Sequence, residues 1–210
     1  DKPMAERYFT YISDAAHGDF GDSLKQRGRT VMDIIATKFP VSARLGGMAV
    51  VLALCVGVPL GVLAAYKRGT FIDSLFSVIA TCGIAVPGFV ICTLLLYVFG
   101  VKLQWLPTLG LKSAQSYIMP VVALAAYPTS YIMRLMRSSM LDVLGQDYMR
   151  TAKAKGLSQK VSLFKHALRN AILPVITYVG PMLAYTLTGS FVTEKIFTIP
   201  GLGGEFIKAI

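Results

Sequence analysis

The chain has 210 residues, of which 54% are hydrophobic and only 15% charged, with a mean hydropathy of +0.59. Such apolarity excludes an ordinary soluble domain and makes a bilayer the natural solvent. The formal net charge of +10 would suit nucleic acid, but basic residues interleaved with long apolar runs mark loops beside anionic lipid, so lipid is the expected partner and nucleic acid is not.

Residues 1–44 are mixed in character: seven basic side chains are nearly balanced by Asp1, Glu6, Asp14, Asp19, Asp22 and Asp33. Within Ala16-His17-Gly18-Asp19-Phe20-Gly21-Asp22-Ser23, the glycines suit turns and Phe20 is available to pack on a membrane-proximal surface. His17 and Asp19 have no nucleophile at a recognisable motif, and the reading there is structural. His17 and His166 are far apart and lack a Cys or carboxylate at ligand spacing, so no metal site is expected. Cys55, Cys82 and Cys92 lie inside apolar stretches without paired short spacings and read as packing residues.

A helix crosses the hydrocarbon core, about 30 Å thick, with roughly 20 apolar residues, and four runs of that size follow. Residues 45–66 are apolar throughout and end at Lys67-Arg68-Gly69, a basic stop and a helix breaker. Residues 74–101 carry no charge but contain Pro87-Gly88, which predicts a kink turned toward the protein interior. Residues 117–141 form a third span, with Arg134 and Arg137 near one end snorkelling to an interface. Residues 171–192 form a fourth, whose Pro174, Gly180, Pro181 and Gly189 suit a lined pathway better than a lipid anchor. The fold expected is an all-α polytopic membrane bundle.

Topology follows from the cations. Lys67 and Arg68 follow the first span, and Arg134, Arg137, Arg150, Lys153, Lys155, Lys160, Lys165 and Arg169 surround the connection between the third and fourth. Between and after the spans the other side carries only Lys102, Lys112, Lys195 and Lys208, so the larger set faces the cytoplasm and residues 1–44, whose cations are nearly balanced by acids, are extracytoplasmic. Both ends of the four-span core then face outward, and a preceding helix and a following one are expected in the whole protein.

The connection at residues 142–170 reads as two short helices meeting at Gly156, the preferred residue just past a helix end. Lys153 and Lys155 suit the negative end of the first helix. Ser158 is placed to cap the second, in which Val161, Phe164 and Leu168 recur at helical spacing. A solvated loop would satisfy the same physics.

A resemblance separates the two readings. Binding-protein-dependent ABC importer permeases carry a coupling loop patterned Glu-Ala-Ala, three residues, Gly, nine residues, Ile-x-Leu-Pro. Against that general pattern only Ala152, Gly156 and Leu168 agree. Arg150-Thr151-Ala152-Lys153-Ala154-Lys155-Gly156-Leu157 and His166-Ala167-Leu168-Arg169-Asn170-Ala171-Ile172-Leu173-Pro174-Val175, however, closely resemble the oligopeptide/dipeptide branch of the B type. Residues 16–23, Phe39-Pro40-Val41-Ser42-Ala43, Trp105-Leu106-Pro107 and residues 194–203 are similar too, so the resemblance covers essentially the whole chain.

What the resemblance implies is a type I importer permease that moves peptides across a bacterial or archaeal cytoplasmic membrane. Its partners would be two ATP-binding subunits, a homologous second permease and an extracytoplasmic substrate-binding protein. No Gly-x-x-x-x-Gly-Lys-Ser/Thr loop occurs, so the chain itself is expected to bind no cofactor and to catalyse nothing, with ATP and Mg on the partners. The knob at Arg150, Thr151, Ala152, Lys153, Lys155, Gly156 and Leu157, with Phe164, would dock on an ATP-binding subunit. Pro87, Tyr127, Tyr131, Tyr178 and Tyr185 are candidates for the substrate pathway, although helix packing would also explain the tyrosines. Trp105, Glu194 and Pro200 are candidates for binding-protein docking, Glu194 otherwise being a plain interfacial charge. Nickel chelates or sugars are alternative cargoes. A secondary transporter or channel would also have Pro and Gly in its spans, but would ordinarily carry ionisable groups in mid-membrane, and these spans have none near their centres. In a chain freed of its native cysteines, single cysteines at Lys153 and Lys112 are expected to react with a membrane-impermeant label from opposite faces; labelling from one side would refute the four-span topology.

Overall fold

A computed structural model describes residues 3–158, 161–188 and 190–209, with the backbone alone at positions 153 and 207. Helix α1 (Met4–Ala16) precedes a turn segment and the long α2 (Val31–Tyr66), followed by α3 (Phe71–Ala85) and α4 (Gly88–Leu95). A π-helical turn (Leu96–Lys102) and a 3-10 turn (Ala114–Tyr117) lead to α5 (Ile118–Leu144) and α6 (Asp147–Ala154). A second π turn (Ser162–Ala167), α7 (Leu168–Ala171), α8 (Leu173–Leu187), α9 (Phe191–Ile196) and α10 (Gly203–Ala209) complete the fold. Among the described residues the only β pairing is an isolated bridge between Asp22 and Thr30.

Among the described residues three stretches are long and apolar enough to cross a membrane, Val31–Tyr66, Ala114–Leu144 and Leu173–Ile196; the bent pair Phe71–Ala85 and Gly88–Lys102 makes a fourth if counted as one span. The second predicted span is therefore not a kinked continuous helix. It turns through 102° at Val86-Pro87, where Val86 is extended, as a residue before proline tends to be, and Pro87 caps a new helix.

The first span starts earlier than its apolar run. Thr30 accepts from the Asp33 N–H at 3.1 Å while Asp33 accepts from the Thr30 N–H at 3.3 Å, a capping box that starts the helix at Val31. At 1.5 Å per residue its 36 residues reach about 54 Å, well beyond a bilayer core, and the helix continues through Pro40 and Pro59.

Helix α2 is the central post, and it meets its neighbours through glycine. A Cβ at Gly57 would lie 2.8 Å from the Thr129 carbonyl and 2.9 Å from Ile132 Cγ2; one at Gly61 would lie 2.7 Å from both the Met133 carbonyl and Met136 Cβ. Gly57-Val58-Pro59-Leu60-Gly61 thus works as a small-xxx-small seam against α5. Farther along, Gly46 abuts the backbone of Thr186 on α8, and Gly83 on α3 abuts the Ser130 side chain of α5.

Two clusters fill the interior. Toward the Lys67 end, Ala53, Val62 and Ala65 of α2 pack with Ile132, Met136 and Met140 of α5, Met149 of α6, and Leu163, Ala167, Ala171 and Val175. Toward the other end, Leu45 and Ala49 pack with Cys92, Met119, Val121, Ala125, Phe197 and Ile199. Arg137 does more than snorkel. Its Nε and Nη2 donate to the two oxygens of Asp73 at 2.6 and 2.9 Å, and Asp73 also accepts from the Gly69 N–H at 3.0 Å, clamping the start of α3 to α5.

Gly61→Ala is expected to destabilise the protein in detergent by about 1–3 kcal/mol through overpacking. Gly47→Ala, on the same helix with open space where its Cβ would sit, is expected to be neutral or to stabilise by a few tenths to about 1 kcal/mol. Thermal unfolding of the two variants side by side checks the seam; equal effects would contradict it.

Candidate functional site

The bend between α3 and α4 opens a groove of about 560 Å³, walled by Ile84, Val86, Pro87 and Gly88, by Tyr127 and Pro128 of α5, and by Tyr178, Pro181 and Tyr185 of α8. A smaller cavity of about 330 Å³ shares Ile84 and Tyr127 with it and adds Tyr131, Arg134 and Leu135. Four of the five residues predicted for a pathway line the first space, and Tyr131 lines the second. The Tyr131 ring lies 4.4 Å from that of Tyr178 and 6.3 Å from that of Tyr127, bridging α5 and α8. Tyr185 stands apart, 80% exposed. Sequence reasoning did not assign Thr186, Ser190 or Thr193 to this groove, yet all three line it. Arg134, read as an interfacial snorkel, is the cation of the adjoining cavity.

The predicted knob is present and rooted in the protein. Helix α6 ends before Gly156, whose φ of +76° is a left-handed value that glycine adopts without strain, and the Leu157 N–H closes on the Ala152 carbonyl at 3.3 Å. The chain then returns through Ser158, whose hydroxyl accepts from the Val161 N–H at 3.5 Å, into the π turn. Asn170 Nδ2 donates to the Tyr148 hydroxyl at 2.9 Å and joins the two arms.

Met149, Ala152, Leu163 and Ala167 are buried, while Arg150, Thr151, Lys155, Gly156, Leu157 and Phe164 are exposed. Ala152 therefore packs inside the knob rather than on its outer face. In the second arm Val161 and Phe164 point outward, and the buried face is Leu163 and Ala167. Arg150 sits 3.6 Å from Asp147 with both side chains exposed, a pair of little energetic weight. The Lys153 side chain lies outside the described residues, as do Gln159 and Lys160.

At the opposite end, the N-terminal segment, the loop at residues 102–116 and the residues from 194 onward come together. Gln26 Nε2 donates to Glu205 at 2.8 Å, and the Gly110 N–H donates to the Phe197 carbonyl at 2.8 Å. Trp105 is exposed, its ring 6.0 Å from that of Phe99, and Pro200 is exposed.

Glu194 does not face this surface; it is 1% exposed. Its carboxylate accepts from Ser42 Oγ at 2.6 Å and from the Gly204 N–H at 3.1 Å, while Ser42 Oγ accepts from the Leu202 N–H at 2.8 Å. Gly201 leaves room for that carboxylate, since a Cβ there would lie 2.5 Å from it. The charge reads as an anchor that wraps residues 199–204 onto α2, neither a docking contact nor a solvated interfacial charge.

Relatives of known description agree with this architecture. The chain is 46% identical to the dipeptide transport system permease protein DppB of Bacillus subtilis (strain 168) over 210 residues, all of this chain and 68% of that protein. It is 44% identical over 208 residues to the oligopeptide transport system permease protein OppB of Salmonella typhimurium, covering 98% of this chain and 68% of that one. In three dimensions it resembles an inward-facing form of the MetNI methionine ABC transporter with a TM-score of 0.66 at 18% identity, over 84% of this chain and 80% of that chain. An amino acid ABC transporter crystallised with histidines matches at 0.60 and 15% identity, over 95% and 83%; at these identities the likeness is one of fold. Residues 57–210 match the profile described as binding-protein-dependent transport system inner membrane component. This chain is a multi-pass membrane protein and belongs to that family of permeases.

Proposed function

We propose that this chain is the membrane-spanning subunit of an ATP-driven importer that brings oligopeptides or dipeptides across the cytoplasmic membrane, with ATP and Mg held by separate partner subunits. The observation that carries the reading is the joining of groove and knob on the same two helices. Helices α5 and α8 supply the tyrosines of the groove, and the connection between them is the knob. A partner that moves the knob therefore moves the groove walls as rigid bodies.

The knob is built for such a contact. Its inner face is packed into the core, so it resists folding away, while Leu157 and Phe164 offer apolar surface beside Arg150 and Lys155. An ATP-binding subunit with an acidic-rimmed apolar cleft fits that chemistry. The tyrosine groove suits peptides, giving apolar side chains a surface and backbone amides a hydroxyl. At the other end, Trp105 and Pro200 on the cap formed by residues 102–116, 194–204 and the N-terminal segment are the surface for a substrate-binding protein. A second, homologous permease would complete the pathway.

Gly156→Arg tests the docking role. Nothing lies within 4 Å of a Cβ at Gly156, so the new side chain projects outward and its internal cost is confined to the backbone strain of the left-handed conformation. The variant is expected to insert at a normal level but to lose about tenfold or more of ATP-dependent peptide uptake in vesicles, the size of a disrupted interface anchor. Undiminished coupled uptake would overturn the proposal.

A further inference from the structure

Building on the peptide-importer reading, we infer that Arg134 is a pathway site for the α-carboxylate of the cargo peptide. The inference starts from a contrast between neighbouring arginines. Arg137 is neutralised by both oxygens of Asp73. Arg134, about one helical turn nearer the middle of the span, is exposed and has no ion-pair or hydrogen-bond partner among the described residues. A guanidinium lining this cavity without a counter-ion has either water or a transient anion for company.

Its surroundings say which. Tyr127, Tyr131 and Arg134 follow one another at four- and three-residue spacing, which stacks them along one face of α5. Arg134 lines the smaller cavity together with Tyr127 and Tyr131, and it is the one charged residue lining either cavity among the described residues. Traced from the outer cap inward, the wall changes character. Hydroxyls come first, at Ser190 and Thr193; the aromatic rings of Tyr178 and Tyr131 follow, and Arg134 stands at the inner end.

Peptides of differing side chains share two charges, an α-ammonium and an α-carboxylate. A cation repels the first and offers the second a planar, two-donor fork that matches a carboxylate. Placed beyond an otherwise uncharged groove, Arg134 draws the carboxyl end inward and orders the peptide with that end leading. The site is sequence-independent, because every unmodified peptide carries the group, and it disfavours cargo whose C-terminus is capped.

The test uses the complete importer with its binding protein in vesicles, supplied with trialanine and trialanine amide as paired cargoes. Wild type is expected to take up the free acid faster than the amide. Arg134→Gln is expected to slow the acid about tenfold, the size of one lost charge-assisted hydrogen bond, while changing the amide less than about twofold, so that the preference collapses. Arg134→Lys, which keeps the charge, is expected to retain the preference. Because the binding protein is the same throughout, its own selectivity cancels when each variant is compared with wild type. Equal losses for both cargoes, no change in Arg134→Gln, or loss of the preference in an assembled Arg134→Lys importer would each overturn the site. Failure of the wild-type importer to accumulate either peptide would instead overturn the peptide reading on which the site rests.

Discussion

Once helices are in lipid, burial of apolar surface no longer draws them together, since the acyl chains are as apolar as leucine. Close backbone approach is what remains, and here it is set by the Gly57 and Gly61 seam between α2 and α5. The missing side chains let the Thr129 and Met133 carbonyls approach α2 closely. Everything else is positioned from that pair. Gly46 brings α8 against the same post, and Gly83 brings α3 against the far side of α5 at Ser130. With α3, α5 and α8 so fixed, the 102° turn after α3 leaves a space that none of the helices fills, and that space is the groove.

Polar anchors close the two ends. On the knob side, the Asp73 and Arg137 pair joins α3 to α5 with bidentate geometry, a contact worth more than an exposed pair because Asp73 is nearly buried and its second oxygen also receives the Gly69 N–H. On the cap side, the Glu194 carboxylate serves a comparable purpose for the α9 and α10 region and α2. Removing the Glu194 carboxylate would deprive the buried Ser42 hydroxyl of its acceptor, which is costlier than never having placed the pair there. The groove between these ends is lined by residues with no such strong ties, apart from hydroxyls that donate locally, as Thr186 does to the Met182 carbonyl. Rigid ends and a softer middle suit a passage whose walls must separate.

Much of this was legible in the sequence wherever a single local signal sufficed. Lys67-Arg68-Gly69 marked the end of α2, Gly156 marked the bend of the knob, and Pro87 marked the break that opens the groove. Two misses share a cause: each depended on a partner distant in sequence. Asp73 and Arg137 are 64 residues apart, and nothing local distinguishes Arg137 from Arg134. Glu194 looked solvent-facing because Ser42, 152 residues away, was not known to be beside it. The start of α2 was a different kind of miss. Thr30 and Asp33 form a recognisable Thr-x-x-Asp cap, but the apolar run that sets the expected boundary begins only at Leu45.

The internal path from knob to groove can be followed side chain by side chain. Met149 on α6 and Leu163 and Ala167 in the returning arm share one packed cluster with Met140 and Met136 of α5 and with Ala171 and Val175 leading into α8. Tyr131 on α5 and Tyr178 on α8 face each other farther along the same two helices. A close-packed cluster transmits displacement rather than absorbing it. A push on the knob would therefore reach the stacked tyrosines as relative motion of α5 and α8. Tilting α8 against α5 changes the distance between the Tyr131 and Tyr178 rings before it disturbs the glycine seam, because Gly57 and Gly61 hold α5 to α2 independently of α8. The helix pair held by the glycine seam and the pair joined by the facing tyrosines thus meet on different faces of α5.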